Sequence, residues 1–163
     1  MEISLEIIVG ELIRQHAFTL AVAESCTGGL LSHRLTNVPG SSTYFTGGII
    51  SYSNQAKMGL LNVKPDTLDK HGAVSKETAI EMARGIRFTL EADVGLAVTG
   101  IAGPGGGSPD KPVGLTWIGL SMPQGDDAWR FVWQGNRLEN KEASVEQALK
   151  ILVKALSEID PHH

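Results

Sequence analysis

A short apolar stretch over residues 18–24 leads into Ser25, Cys26, Thr27 and two glycines, and a helical pattern follows over residues 29–37. A run of this length that ends at turn residues is typical of a buried strand. A strand that passes through a tight turn into a helix is a building unit of α/β folds. This segment therefore favours folds in which helices cover a sheet.

The remaining hydrophobic patterns continue the alternation of helices and strands. We predict helices over residues 3–16, 54–61, 76–91 and 138–158, strands over 44–53, 93–101, 113–121 and 127–135, and an irregular connection over 64–73. Ser53 and Ser75 are suitable N-cap residues for two of these helices. The last two strands form a predicted hairpin around the segment "PQGD". This order predicts a mixed α/β sandwich with helices covering a central sheet.

Composition limits the class of protein. The 163 residues predict one domain over residues 1–163. The net charge of −4 and the scattered charged residues argue against a nucleic-acid partner. Cys26 is the only cysteine, which excludes an internal disulfide and a cysteine-based zinc site. The acidic N-terminus is unlike a signal peptide, and no apolar run approaches the roughly 18–20 residues of a membrane helix. We therefore expect a soluble, cytoplasmic protein that does not contact membranes.

The turn after the first strand presents side chains that can attack a substrate or donate hydrogen bonds. A side chain such as Ser25 projects there into a crevice, beside the free N–H groups and the positive dipole end of a helix. Those groups can stabilise an oxyanion or bind a phosphate, and Gly28 and Gly29 allow close approach to the backbone. The same residues also fit a helix that Ser25 or Thr27 merely caps. A catalytic turn, an anion-binding turn and a plain cap all remain open here, as does the choice between Ser25 and Cys26.

The segment "SYSNQAK", residues 51–57, contains a candidate base for a serine nucleophile. A serine hydroxyl needs a base within hydrogen-bond reach, and none of the histidines is an obvious candidate. A lysine serves as a base if burial keeps it neutral. Tyr52 at a strand end and Lys57 one helical turn later could converge on one point. Taken alone, the segment fits better with a solvated helix lysine and a sheet aromatic.

A glycine-rich and proline-rich segment over residues 98–114 contains neither a Walker A nor a dinucleotide-binding pattern. Turns of this kind expose N–H groups that bind anions, and a loop this long inside a small domain is more often functional than a plain connection. No cluster of metal-ligating residues is present in the sequence. The lone carboxylate of Glu24 fits a strand-end surface charge better than a residue that orients the neighbouring turn.

Taken together, four segments resemble the CinA C-terminal domain family of competence-damage-inducible proteins. They are "AESCTGG", "GGIISYSNQAKMGLLNV", "GAVSKETAIEMA" and "AVTGIAGPGGGSPDKPVGLTWIG", and the resemblance extends over about residues 5–158. The resemblance implies an amidase that converts nicotinamide mononucleotide to nicotinic acid mononucleotide and ammonia, in pyridine-nucleotide salvage. It implies no metal or organic cofactor, and a homo-oligomer, most simply a dimer.

The resemblance also implies the roles of individual residues. Ser25 is expected to be the nucleophile, Lys57 its general base and Tyr52 a partner in proton transfer. The glycine-rich loop and Arg137 are expected to hold the nucleotide, through its phosphate. The expected substrate-binding residues are Thr27, Gly28, Gly29, Ser42, Thr99, Gly103, Gly105, Gly106 and Arg137.

One segment departs from the family pattern. The chain reads "GNRLENK", with Asn136 for an aspartate, Asn140 for an apolar residue and Lys141 for a second arginine. A lysine cannot reproduce a bidentate arginine contact, so the departure concerns the phosphate contact and not the acyl chemistry. The alternative interpretation is a homologue that binds a nucleotide or a partner without turnover. A cysteine hydrolase is disfavoured, because no histidine is placed to form a thiolate pair with Cys26.

Overall fold

Helices and strands alternate along the first part of the chain, and a hairpin and a long helix complete it. The structure is a computed structural model that describes residues 2–160; His162 and His163 lie outside them. The helices of the described chain are α1 (Leu5–Gln15), α2 (Leu30–Thr36), α3 (Asn54–Leu61), α4 (Pro65–His71), α5 (Lys76–Thr89) and α6 (Arg137–Ser157). The strands are β1 (Leu20–Glu24), β2 (Phe45–Ile50), β3 (Val94–Gly100), β4 (Leu115–Met122) and β5 (Gly125–Val132).

The five strands form one mixed sheet in the order β2-β1-β3-β4-β5. β1 pairs in parallel with both β2 and β3, whereas β4 pairs antiparallel with β3 and with β5. All five residues of β1 are buried, as expected for a central strand with helices on both faces. The predicted mixed α/β fold is confirmed.

The two faces of the sheet are covered by different helices. Alternate residues of β1 such as Leu20 and Val22 pack in one core cluster with α1, α2 and α6. Ala21 and Ala23 point to the opposite face, where they pack with α3 and α5. Because Glu24 follows the same alternation, its side chain belongs to the face of α1, α2 and α6.

The alternation also explains how closely α5 packs on the sheet. A Cβ atom at Gly95 would lie 2.2 Å from the carbonyl oxygen of Ala83, and one at Gly119 would lie 2.3 Å from that of Ala79. The absence of side chains at Gly95 and Gly119 therefore lets the backbone of α5 rest directly on β3 and β4. These close contacts fix the position of α5, whose N-cap residue is Ser75, on the sheet.

Several predicted boundaries and caps agree with the structure. The hydroxyl of Ser53 accepts a hydrogen bond from Ala56 N (3.1 Å), and that of Ser75 accepts one from Thr78 N (3.2 Å), which confirms both N-caps. The last two strands form the predicted hairpin, although its turn is shorter than "PQGD" and lies at residues 123–124.

The predicted irregular connection over 64–73 is wrong, because it contains α4. Pro65 occupies the first turn of this helix, where a proline needs no N–H partner and its fixed φ suits a helix. The hydroxyl of Thr67 donates to Glu81 of α5 at 2.6 Å, so a tertiary contact supports a helix without a clear apolar stripe. Among residues 2–160, no helix has the length and apolar character that a bilayer span requires.

Two helical glycines with different surroundings test this packing. A Cβ at Gly85 of α5 would lie 1.8 Å from the carbonyl oxygen of Leu61, so Gly85→Ala should lower the free energy of unfolding by about 2 kcal/mol through overpacking. A Cβ at Gly59 of α3 would meet nothing within 4 Å, so Gly59→Ala should raise it by about 0.5–1 kcal/mol. Urea denaturation of both variants measures the difference, and equal effects would contradict the packing described.

Candidate active site

The carboxyl ends of the three parallel strands bring polar residues to one level of the sheet. Glu24 is paired with both Ile50 and Val98, so the residues that follow these positions, Ser25, Ser51 and Thr99, lie side by side. A crevice of about 200 Å³ opens there. Its lining residues are Ser25, Cys26, Tyr52, Asn54, Lys57, Ala73, Val74, Thr99, Gly100, Ala102 and Arg137.

The Ser25 hydroxyl and the Lys57 amine meet at the floor of this crevice. Lys57 Nζ lies 3.0 Å from Ser25 Oγ and donates to the carbonyl oxygen of Ser51 at 2.7 Å. A longer contact of 3.4 Å joins it to the carbonyl oxygen of Tyr52. Two segments 32 residues apart in sequence are thereby brought within hydrogen-bond distance.

The Lys57 side chain is buried and has no acidic partner. It is 1 % exposed, and none of the ion pairs among the described residues includes it. Burial lowers the pKa of Lys57 below its ordinary value, because desolvation disfavours the ammonium form. The interpretation of Lys57 as a solvated helix lysine is therefore wrong, since the side chain points inward from α3 to the strand ends.

The carboxylate of Glu24 is fully buried and caps the N-terminus of α2. One oxygen accepts from the Thr27 hydroxyl at 2.6 Å and from the backbone N–H groups of Gly29 at 3.3 Å and Leu31 at 2.9 Å. The other accepts from the N–H of Ser32 at 3.0 Å and from its hydroxyl at 2.7 Å. Glu24 is thus a residue that orients the turn, and the interpretation as a surface charge is wrong.

This cap decides which backbone groups remain for a ligand. The N–H groups of Gly29, Leu31 and Ser32 are bonded to Glu24, and that of Leu30 donates to the carbonyl oxygen of Thr27. The interpretation of this helix end as an open anion-binding site is therefore wrong. Ser25 and Thr27 do not cap α2 directly either; the Thr27 hydroxyl is 1 % exposed and bonds Glu24. Within the described residues, no backbone hydrogen bond is donated by the N–H of Cys26 or Thr27.

Cys26 lies beside Ser25 but in surroundings that oppose ionisation. Its side chain is buried, and desolvation raises the pKa of the thiol to about 12. A thiolate is the reactive form of cysteine, so this environment disfavours Cys26 as a nucleophile.

The Tyr52 side chain lies at the mouth of the crevice rather than on the Lys57 amine. It is 62 % exposed, and its hydroxyl accepts a hydrogen bond from Arg137 at 3.2 Å. Arg137 also donates to the carbonyl oxygen of Gly103 at 2.7 Å. Tyr52 and Lys57 line the same crevice, as predicted, and the role of the Tyr52 hydroxyl in proton transfer stays a prediction. Alternation along the chain turns Ser51 inward and Tyr52 outward, and only the backbone carbonyl of Tyr52 contacts the amine.

The glycines predicted to bind substrate lie in the turn after Ser25 and in the loop after β3, and none is among the residues that line the crevice. Gly28 and Gly29 have positive φ angles of 59° and 105°, a conformation that glycine adopts without strain, and they close the turn after Ser25. Gly105 and Gly106 lie in the exposed part of the loop that leaves β3. A Cβ at Gly28 would lie 3.5 Å from the amine of Lys141, which places this cation of α6 beside the turn.

Of two further residues predicted to bind substrate, Thr99 lies at the crevice and Ser42 does not. The Thr99 hydroxyl lies at the crevice and donates to the carbonyl oxygen of Ala73 at 2.8 Å, so it holds the segment before α5 in place. Ser42 does not line the crevice of its own chain. It is exposed in a short 3₁₀ turn that precedes β2, whereas the crevice is at the carboxyl end of that parallel strand.

Sequence reasoning missed the small residues on the wall opposite Ser25. Ala73, the last residue of the predicted connection over 64–73, and Val74 line the crevice from the segment between α4 and α5. The signal available was their position in "GAVS", one of the quoted segments, directly before the Ser75 N-cap. Asn54 also lines the crevice, from the first position of α3.

The fold and the site together define a class of protein: an α/β protein with a buried serine–lysine pair in a crevice at the carboxyl edge of its parallel strands. Comparison with known proteins identifies the family to which this chain belongs. The model of the CinA C-terminal domain family matches residues 2–156. The chain belongs to the CinA C-terminal domain family.

Two relatives show the same relationship. A CinA-like protein from Chlorobaculum tepidum is 50 % identical over 164 aligned residues, which cover 98 % of this chain and 39 % of the relative. One from Desulfotalea psychrophila is 50 % identical over 149 residues, covering 91 % of this chain and 36 % of that protein. The chain thus spans less than two fifths of the length of these curated relatives.

Solved structures match over their whole length. The competence damage-inducible protein A (ComA) from Klebsiella pneumoniae is 31 % identical with a TM-score of 0.92, covering 96 % of this chain and 97 % of that one. The competence/damage inducible protein CihA from Agrobacterium tumefaciens is 37 % identical with a TM-score of 0.85, covering 97 % and 100 %. These matches support the arrangement of strands that forms the crevice.

The cap by Glu24 generates a testable prediction. In Glu24→Gln an amide NH₂ replaces one carboxylate oxygen and faces N–H or O–H donors, so the free energy of unfolding should fall by about 3 kcal/mol. Chemical denaturation measures this loss.

Glu139→Gln is the matched control, because Glu139 also bonds backbone at a helix N-terminus and a capping box accepts glutamine at that position. Its unfolding free energy should change by less than about 0.5 kcal/mol. Equal, small effects of both substitutions would contradict the role assigned to Glu24.

Proposed function

We propose that this chain is an amidase that hydrolyses the carboxamide of nicotinamide mononucleotide, releasing ammonia and nicotinic acid mononucleotide. The observation that carries the proposal is the contact of 3.0 Å between Lys57 Nζ and Ser25 Oγ. It joins a hydroxyl nucleophile to a buried amine without an acidic partner. The choice of substrate rests on the resemblance of the sequence segments to amidases of this family.

The acceptors around Lys57 support its role as a base. The carbonyl oxygens of Ser51 and Tyr52 only accept hydrogen bonds, so they take the two N–H groups of a neutral amine. The lone pair of that amine is then free to accept the proton of the Ser25 hydroxyl. An ammonium group would instead use all of its donors and could not act as a base.

The reaction divides into acylation and deacylation. Ser25 Oγ attacks the carboxamide carbon while its proton passes to Lys57 Nζ. The carboxamide thereby becomes a tetrahedral intermediate with a negatively charged oxygen. The carbon–nitrogen bond then breaks as Lys57 returns the proton to the nitrogen, so ammonia leaves and an ester remains on Ser25. Water attacks the ester, Lys57 transfers the proton from water to Ser25 Oγ, and the carboxylic acid is released.

The turn supplies candidate donors for the oxyanion. The backbone N–H groups of Cys26 and Thr27 adjoin the nucleophile and donate to no backbone carbonyl of the described residues, as in other sites that stabilise tetrahedral intermediates. The cap by Glu24 holds this turn in one conformation, so the donors need no rearrangement during the reaction.

The size and charge of the opening support a mononucleotide substrate. The crevice of about 200 Å³ is smaller than the roughly 300–1,000 Å³ of pockets that enclose a whole drug-sized ligand. It suits the ring and carboxamide, with the ribose and phosphate outside near the glycine-rich loop. Arg137 and Lys141, one helical turn apart on α6, provide positive charge for one phosphate.

Substitution of the two adjacent candidates tests the nucleophile. Ser25→Ala should reduce ammonia release from nicotinamide mononucleotide to background, because no hydroxyl remains to form the ester. Cys26→Ala should keep activity within about threefold, because the buried thiol takes no part. An assay of ammonia at millimolar substrate measures both.

The reverse pattern, with Cys26→Ala inactive and Ser25→Ala active, would overturn the assignment. Absence of ammonia release by the unsubstituted protein would favour the alternative of a binding homologue without turnover.

The lowered pKa of Lys57 predicts the pH dependence of activity. The base must be neutral, so kcat/KM should be constant above the lowered pKa and fall about tenfold for each pH unit below it. Lys57→Met should have no activity at any pH. Activity that stays constant into the acid range would argue against a lysine base.

A further inference from the structure

The side chain of Asn140 in α6 joins two segments that border the crevice. It is 2 % exposed, and both ends of its amide are used. Its nitrogen donates to the carbonyl oxygen of Ala102 at 3.0 Å, and its oxygen accepts from the N–H of Gly135 at 3.0 Å. A buried amide with both ends satisfied holds its partners in one arrangement.

The two partners of Asn140 are the base of the glycine-rich loop and the entry to α6. Ala102 is the second residue after β3, and its own side chain lines the crevice. Gly135 directly precedes Asn136, the N-cap residue of α6. Asn140 therefore fixes the position of the loop relative to the first turn of α6, which carries Arg137.

Arg137 makes a second contact with the same loop, one residue further along. It donates to the carbonyl oxygen of Gly103 at 2.7 Å. An anion that takes the Nη1–H group now bonded to Gly103 would break this contact, although the guanidinium carries five N–H donors in all. If Arg137 alone held the loop, binding of an anion would release the loop from α6.

The other end of the loop is held by the sheet. Gly114 donates to the carbonyl oxygen of Ile101 at 2.7 Å and accepts from the N–H of Trp133 at 3.0 Å. Residues 104–110 between the two ends are exposed. Ile101 also donates to the carbonyl oxygen of Leu115 at 2.8 Å, so the sheet holds the chain up to Ile101, and Asn140 extends the fixed part to Ala102.

We propose that Asn140 is a positioning residue that holds the glycine-rich loop beside Arg137 and so forms the binding place of the substrate phosphate in advance. Because Ala102 stays bonded to Asn140, Arg137 can exchange Gly103 for a phosphate oxygen while the loop keeps its place. Preformed sites of this kind gain affinity by avoiding the cost of ordering a loop. The identity of the anion rests on the proposed function; the positioning of the loop does not.

Hydrogen exchange tests the positioning without any substrate. In Asn140→Leu the exchange of the segment over residues 101–114 should become about tenfold faster, because one end of the loop loses its anchor. Asn140→Ala, which lets water reach the Ala102 carbonyl, provides the same test if the leucine variant does not fold. Thr19→Val, which removes two hydrogen bonds between the Thr19 hydroxyl and Asp93 at the N-terminal ends of β1 and β3, is the control and should leave this exchange unchanged.

Steady-state kinetics test the consequence for binding. Either Asn140 variant should raise KM for nicotinamide mononucleotide about tenfold, with kcat within about twofold, because ground-state binding is lost and the Ser25–Lys57 contact is kept. An equal fall in kcat at constant KM would overturn the proposal, as would unchanged exchange in the loop. If the unsubstituted protein releases no ammonia, the proposed function fails, while faster loop exchange in the variants still supports the positioning role.

Discussion

The bond between the buried carboxylate of Glu24 and the N-terminus of α2 is the constraint on which the rest of the site depends. It fixes the turn that carries Ser25, because five hydrogen bonds from residues 27–32 converge on one side chain. The same carboxylate also accepts hydrogen bonds from the backbone N–H groups at the N-terminus of α2. The turn therefore presents a neutral nucleophile and the backbone N–H groups of Cys26 and Thr27, while the N-terminus of α2 itself is closed to anions.

The sheet keeps this carboxylate away from the amine that the chemistry requires. Glu24 points to the face of α1, α2 and α6, whereas Lys57 comes from α3 on the other face. An ion pair between them would stabilise the ammonium form and remove the lone pair. Strand alternation directs the side chains of Glu24 and Ser25 to opposite faces of the sheet. The buried carboxylate therefore does not pair with the lysine base that contacts Ser25.

The sequence predicted the fold well because apolar periodicity and capping residues are local signals. It also singled out Ser25, Lys57 and Arg137, which the structure brings to one crevice. It failed where tertiary contacts decide: α4 has no apolar stripe, and Ser42 precedes β2, away from the carboxyl ends of the parallel strands. The burial of Glu24 and of Lys57 could not be read from the sequence, since a lone charge is normally solvated.

In the proposed reaction, Ser25 is acylated with the help of Lys57. The most direct measurement is acid quenching of the protein during reaction with nicotinamide mononucleotide, followed by mass spectrometry of its peptides. We expect the peptide that contains Ser25 to gain the mass of the substrate minus that of ammonia. This adduct should disappear as the substrate is exhausted. The same adduct on Cys26, or ammonia release with no adduct on any residue during turnover, would contradict the proposed reaction.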